Sequence, residues 1–179
     1  MRCLIALLKP GAWLGGLLLL GLAGCVTRPP ADAMLDPAFE DTRYDGFLVY
    51  AAFDDLGAEA RFERESCKRL IATGHACTTL LAAAPPTRAQ NARSRHEASR
   101  RSGAQAIIVI ELADPDTASR RLLAGRVPGF EVTLIDNESQ QVVLAAAVSA
   151  DPHDATLAER AHTLADSIVA LLEDHAFLR

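Results

Sequence analysis

The stretch Ala104–Leu112, AQAIIVIEL, decides the fold, because it places Ile107, Ile108, Val109 and Ile110 in succession. β-branched residues favour strands, and an apolar run without polar alternation is typical of a strand that is buried on both faces. A second run of this kind, FLVYAAF, covers residues 47–53. The two runs predict two inner strands of one sheet.

Helical patterns flank these strands. Asp54 and Asp55 offer an N-cap for a helix over residues 57–73, which carries Phe62, Cys67, Leu70 and Ile71 near helical spacing and ends at Gly74. Residues 75–83 (HACTTLLAA) predict a further strand, which Pro85 and Pro86 stop. Residues 87–102 predict a polar, arginine-rich helix that Gly103 closes.

The second half of the chain predicts a hairpin and a final helix. Residues 130–135 and 140–149 form two strands joined by Asp136-Asn137-Glu138-Ser139. Thr156 to Glu159 is a capping box that opens an amphipathic helix. The order is βαβαβββα, which predicts an α/β (α+β) fold with helices packed on a single mixed sheet of about five strands. The first three strands are expected to be parallel and the last two antiparallel.

Length, charge and motifs limit the function classes. A chain of 179 residues with 18 Lys+Arg against 23 Asp+Glu and a net charge of −5 leaves no room for a second substantial domain and disfavours nucleic acid as a partner. Phosphate-binding glycine loops and the G-x-S-x-G elbow are absent from the sequence. The sequence therefore predicts a protein that is not an enzyme and uses no cofactor.

The amino terminus has the pattern of a secretory signal. Arg2 and Lys9 precede the apolar run of residues 12–23, which is shorter than the roughly 20 residues of a membrane-spanning helix. The run ends in Leu22-Ala23-Gly24-Cys25. This ending closely resembles the lipobox of bacterial lipoproteins, in which the signal is cleaved before a lipidated cysteine.

The lipobox resemblance implies a domain organisation and a location. Residues 1–24 would be the signal peptide, Cys25 would carry the acyl chains such as palmitate, and residues 25–45 would form a flexible tether. Residues 46–179 would form the periplasmic α/β domain. Val26 stands where an aspartate retains lipoproteins at the inner membrane, so the resemblance implies the periplasmic face of the outer membrane.

Two further cysteines, Cys67 and Cys77, stay in the mature chain. An even pair in an oxidising compartment favours a disulfide. The chain runs down the helix from Cys67 and returns a similar distance along the strand to Cys77, so the two residues are expected at the same level. However, a helix packed on a sheet lies near 10 Å from it, whereas a disulfide needs Cα atoms within about 7 Å. A bridge and two buried thiols are both left open.

Five arginines form a candidate patch for an anionic partner, against the single acid Glu97. Guanidinium groups bind phosphates and carboxylates. The alternative is a solvated helix face, which is what charge runs usually are. The five residues are Arg88, Arg93, Arg95, Arg100 and Arg101.

Metal binding has little support in the sequence. None of the histidines lies at a zinc-ligand spacing, and Asp151-Pro152-His153-Asp154, which could bind a divalent ion, has the composition that a turn into the last helix needs anyway. The long connection over residues 113–129 carries Leu122 and Leu123, which would form either an exposed contact tip or a part of the core.

The element order, in a lipoprotein of this size, is similar to that of small periplasmic domains typified by the TolB amino-terminal domain, the curli secretion channel subunit and the lipoprotein activators of penicillin-binding proteins. This resemblance implies a non-enzymatic accessory or scaffold subunit in envelope assembly or secretion, with an envelope protein or further copies of itself as partner. The alternative is a ligand-binding or catalytic domain with a pocket at the strand carboxyl ends, near Asp54, Asp55, Glu111 and Asp114.

Overall fold

A computed structural model describes residues 33–87, 89, 91–113, 129–149 and 155–178. Its six strands form one sheet, in the order β1-β6-β5-β4-β2-β3. The strands are β1 (Ala33–Leu35), β2 (Gly46–Ala51), β3 (Ala76–Thr79), β4 (Ala106–Leu112), β5 (Gly129–Asp136) and β6 (Val142–Ser149). The helices are α1 (Leu56–Ala72), α2 (Leu80–Ala83), α3 (Ala92–Ser102) and α4 (Leu157–Asp174), with a short 3₁₀ turn at Pro37–Phe39.

The mixed sheet confirms the predicted fold class. β2 pairs in parallel with both β3 and β4. β5 is antiparallel to β4 and to β6, and β1 is antiparallel to β6. β2 and β4, which contain the two apolar runs of the sequence, are both inner strands, because a continuous apolar run needs neighbours on both edges and cover on both faces.

The strand β1 is an addition to the predicted architecture. It makes the sheet six-stranded where about five strands were expected, and it lies within residues 25–45, for which the sequence predicts a flexible tether. That prediction is wrong from Ala33 onwards. Ala33 and Leu35 pair with β6 and pack against the core, and the ring of Tyr44 stacks on Phe177 at 6.1 Å. Three residues are too few to show a strand periodicity in the sequence.

Two element boundaries also differ from the prediction. The strand expected over residues 75–83 ends at Thr79, whose side chain accepts a hydrogen bond from the backbone N–H of Ala82 and so caps α2. Leucine and alanine then favour helix over strand. The helix expected from residue 87 begins at Ala92, because Asn91 and Ser94 form a capping box. Its end at Gly103, with a φ of 73°, is as predicted.

One face of the sheet carries α1 and α4. Alternate residues of the inner strands point to this face, including Phe47, Val49, Ile108 and Ile110, which are all essentially buried. They pack with Phe62 of α1 and with the apolar face of α4, on which Ala161, Leu164, Ile168 and Leu171 are buried. Ile71 of α1, expected among the buried positions, is 57% exposed.

Among the described residues, helix covers the opposite face at one end only. Leu48 and Tyr50 of β2 point there, and the guanidinium of Arg95 on α3 lies 5.8 Å from the centre of the Tyr50 ring. A row of paired positions runs from Tyr50 through Val109, Thr133 and Ala145 to Met34 on β1. Met34, at the far end of the row, is 80% exposed.

We call the far part of this surface the open face. The described residues leave it largely uncovered: Met34, Glu131 and Ala147 are exposed, and Thr133 and Ala145 are half-buried. No helix within the described ranges combines the length and the apolar character that crossing a membrane would require.

Candidate functional site

A cavity of about 290 Å³ lies beyond the carboxyl end of β2, and we call it the carboxyl-edge cavity. β2 lies between β3 and β4 in the sheet. The chain leaves β2 through α1 to form β3 on one side, and then passes through α2 and α3 to form β4 on the other side. The connections to β3 and to β4 therefore run to opposite sides of β2, which makes the carboxyl end of β2 a topological switch point. In open α/β sheets, ligands bind in the crevice at such a switch point.

The walls of the carboxyl-edge cavity are mainly apolar, and its polar groups are few. Tyr50 at the end of β2, Glu59 in the first turns of α1 and Arg95 of α3 supply the polar atoms. The apolar walls are Leu56, Leu80, Leu81, Ala84 and Pro86. An apolar cleft with a small number of charged groups is the usual composition of a small-molecule site.

Glu59 is the most unusual of these groups. The residue is only 8% exposed, and its carboxylate, whose oxygens are not fully buried, makes no hydrogen bond or ion pair with any part of the chain that the structure describes. Burial raises the pKa of Glu59, and the positive charge of Arg95 opposes this shift. A carboxylate that lines a cavity, has a raised pKa and lacks a bonded partner is a candidate binding group.

Glu63 lies one helical turn beyond Glu59 and is fully buried. Its carboxylate accepts hydrogen bonds from the backbone N–H of Leu81 at 3.1 Å and, more weakly, from that of Ala51 at 3.4 Å. Burial raises the pKa of Glu63 to about 7, and the neighbouring charge of Glu59 adds to the rise. Glu63 therefore joins α1 to the end of β2 and to α2.

The residues predicted to form a pocket at this edge have other roles. Asp55 caps α1, since its side chain accepts a hydrogen bond from the backbone N–H of Ala58 at 2.7 Å. Asp54 is exposed and does not line the carboxyl-edge cavity. Glu111, at the end of β4, is close enough to raise the pKa of Tyr50, on which burial has the larger effect. Asp114 lies outside the described residues.

A second cavity, of about 480 Å³, lies beside the β5–β6 turn, near the amino ends of β2 and β4, and we call it the hairpin-end cavity. The hydroxyl of Tyr44 donates to Asp136 at 3.2 Å, and Asp136 also accepts two hydrogen bonds from Ser139. Burial raises the pKa of Tyr44, and the charge of Asp136 raises it further. Because these groups satisfy one another, they account for their own burial without a ligand.

The predicted arginine patch is divided between these cavities. Arg95 lines the carboxyl-edge cavity and Arg100 lines the hairpin-end cavity. Arg93 and Arg101 are exposed on α3, and Arg88 lies outside the described residues. The described arginines therefore have different surroundings, and their role as a patch for an anionic partner stays a prediction.

The disulfide between Cys67 and Cys77 is present, with the Cα atoms 5.2 Å apart. Of the two alternatives left open by the sequence, the bridge is confirmed. Cys77 lies on the edge strand β3, where α1 packs closely enough to bring the two backbones within disulfide distance.

The remaining sequence candidates fall mostly outside the described ranges, namely Cys25, Asp151 to Asp154, and the pair Leu122 and Leu123. Within the described ranges, no group of three or more His, Cys, Asp and Glu side chains is arranged to hold a metal ion.

The sequence prediction missed Glu59, Glu63 and Tyr50. One signal was available, because Glu63, Cys67 and Leu70 follow the helical spacing of one buried stripe. An acid at an apolar position of such a stripe indicates a buried carboxylate.

Comparison with solved structures identifies a shared fold. A leucine-to-methionine variant of the PelC dodecamer from Paraburkholderia phytofirmans superposes with a TM-score of 0.51 at 19% sequence identity, and the match covers 84% of this chain and 99% of that one. The unsubstituted PelC dodecamer gives a TM-score of 0.52 at 18% identity, with the same coverage.

Comparison with protein-family models and with curated protein sequences gives no match. The resemblance to the TolB, curli and penicillin-binding-protein-activator domains stays a prediction. At such low identity, the likeness to PelC establishes that this chain has the PelC fold, in a single mixed sheet with helices on both faces.

Proposed function

We propose that this chain is an outer-membrane lipoprotein, anchored through Cys25, whose periplasmic domain is a non-enzymatic accessory subunit in envelope assembly or secretion and assembles with copies of itself. The observation that carries this proposal is the open face, on a fold shared with a protein that forms dodecamers. The lipobox, Leu22 to Cys25, supports the anchor and the location.

The open face suits contact with a second copy. Most of its described side chains are short or uncharged, the charged ones being Glu131 and its exposed strand partner Glu111. Met34 is a large apolar side chain that is 80% exposed. Covering the Met34 side chain with a partner would stabilise the complex, because the transfer of apolar area out of water lowers the free energy.

The edges of the sheet are less suitable for association. The edge strands β1 and β3 have three and four residues, and short edge strands discourage pairing with another sheet. A closed ring also needs two different surfaces on each subunit, which meet head to tail. The open face supplies one of them.

The experiment measures the mass of the membrane-extracted protein under native conditions. We expect an oligomer for the wild type and a shift to monomer for Met34→Asp, because a charge buried at an interface without a partner opposes association. Ile71→Asp is the matched control, since Ile71 is also a large exposed apolar residue, at 57%, but lies on α1. A monomeric wild type, or equal effects of the two substitutions, contradicts the assembly proposal.

The anchor is tested separately by intact mass. Acylation predicts a mass above that of the chain from Cys25 by a diacylglycerol and an amide-linked acyl group, and Cys25→Ser abolishes the addition. An unmodified chain that still carries residues 1–24 contradicts the anchor, whatever the oligomeric state. Cross-linking in intact cells then identifies the envelope partner.

A further inference from the structure

The carboxyl-edge cavity has a charge pattern that the assembly proposal does not use. Glu59 and Arg95 carry opposite charges and line the same cavity, yet they form no ion pair with each other among the described residues. The guanidinium of Arg95 lies over the Tyr50 ring, 5.8 Å from its centre, and this contact leaves its N–H groups available for an acceptor.

Each of these two charged groups is suited to one ligand group. The carboxylate of Glu59 lines the cavity and has no hydrogen-bond donor in the described chain, so it can accept from an ammonium. The guanidinium of Arg95 can donate two parallel hydrogen bonds to a carboxylate. A ligand with a single charge would leave the other group unpaired, whereas a ligand with both charges satisfies both.

The apolar walls define the rest of the ligand. Leu56, Leu80, Leu81 and Ala84 offer no hydrogen-bonding side chains, so the body of the ligand between or beside its charges must be aliphatic. The cavity volume of about 290 Å³ is at the small end of the range for ligand pockets, roughly 300–1,000 Å³. A ligand of about the size of leucine or a dipeptide meets this limit.

We infer that the carboxyl-edge cavity binds a small aliphatic zwitterion, with its ammonium on Glu59 and its carboxylate on Arg95. The two sources of this chemistry are a free amino acid and a short peptide with both ends free. They differ only in the separation of the two charges. This inference does not depend on the assembly of the chain or on its anchor.

Titration calorimetry on the purified chain, with its Cys67–Cys77 bond intact, tests the inference. The probes are L-leucine and glycyl-L-leucine, and the single-charge controls are isoamylamine and 4-methylpentanoate. We expect saturable binding of at least one zwitterion, and binding of both single-charge compounds at least about tenfold weaker. The zwitterion that binds more tightly identifies the source, either amino acid or peptide.

Matched variants assign the site. Glu59→Gln and Arg95→Gln are each expected to weaken zwitterion binding by about tenfold or more, while Arg101→Gln, on the same helix but exposed and outside the cavity, leaves it unchanged. A circular dichroism spectrum like that of the wild type confirms that each variant is folded. Absence of zwitterion binding up to about 10 mM overturns the inference. So does equal binding of a single-charge compound, or unchanged binding by Glu59→Gln.

Discussion

Cys67 on α1 and Cys77 on β3 are joined by a disulfide, and their Cα atoms are 5.2 Å apart. The bond ties the helix that supplies Glu59 and Glu63 to the edge strand that leads into α2. The bond lies near the amino end of β3, where Cys77 pairs with Phe47 of β2. The link spans a sequence separation of 10, so it closes a short loop.

Replacement of both cysteines by alanine is expected to lower the free energy of unfolding by about 3 kcal/mol, because the unfolded chain regains the entropy that the closed loop removes. Urea denaturation of the wild type and of the double variant measures the difference. A reductant should destabilise the wild type by a similar amount and leave the variant unaffected. A wild type that is insensitive to reduction would contradict the prediction.

A second prediction concerns Asn137, which is buried in the β5–β6 turn. Its side-chain amide donates to the carbonyl oxygens of Ser99 at 3.2 Å and Ala104 at 2.7 Å, and its side-chain oxygen accepts from the Ser99 hydroxyl at 3.0 Å. The Ser99 hydroxyl also donates to the carbonyl of His96, and the Ser99 carbonyl also accepts from Ser102, so Asn137→Ala deprives mainly the Ala104 carbonyl of its side-chain donor. We expect a loss of about 2 kcal/mol in thermal or urea unfolding. Glu138→Ala, at the exposed neighbouring position, is the control and should change stability by less than about 0.5 kcal/mol.

Parts of the fold could be predicted where the sequence carries a strong local pattern. The apolar runs of β2 and β4 predict inner strands, and Thr156 with Glu159 predicts the start of α4, because these signals are local and strong. The strand β1 could not be predicted, since its three residues gain their structure from pairing with β6, and that partner is more than a hundred residues away.

The sequence predicted where the candidate site lies but not which residues line it. The order of parallel strands points to the carboxyl edge, but Tyr50, Glu59 and Arg95 come from three separate elements. Their meeting depends on how α1 and α3 pack on opposite faces of β2, which no local pattern specifies. The prediction chose Asp54 and Asp55 because they follow the strand directly, and the N-cap of α1 uses Asp55 instead.

The ion pair between Arg69 of α1 and Asp166 of α4, at 2.7 Å, is expected to contribute little to stability. The two side chains are 48% and 30% exposed, so solvent screens their attraction. A double-mutant cycle with Arg69→Ala and Asp166→Ala should give a coupling free energy below about 1 kcal/mol, decreasing with added salt. A coupling of about 2 kcal/mol or more would show that the pair holds the two helices together.

The last prediction concerns Glu63 and the pH dependence of stability. Burial raises the pKa of its carboxyl group from 4.5 to about 7, so between these pH values the folded protein keeps a proton that the unfolded chain has lost. The stabilising contribution of this proton is complete below the lower value and is lost as the pH rises through the upper one. The loss is on the order of 3 kcal/mol, and urea denaturation at a series of pH values measures it.

The substitution Glu63→Gln separates this effect from the other titrating groups. Glutamine keeps the shape and the acceptor for Leu81 but does not titrate, so the decrease in unfolding free energy over this pH interval should become much smaller. Glu65→Gln, on the same helix, is the control and should retain the wild-type decrease. Since the prediction concerns the slope with pH, it holds even if glutamine changes the absolute stability. An identical slope in wild type and Glu63→Gln would show that Glu63 is already ionised in the folded protein at acidic pH, with its two backbone hydrogen bonds outweighing its burial.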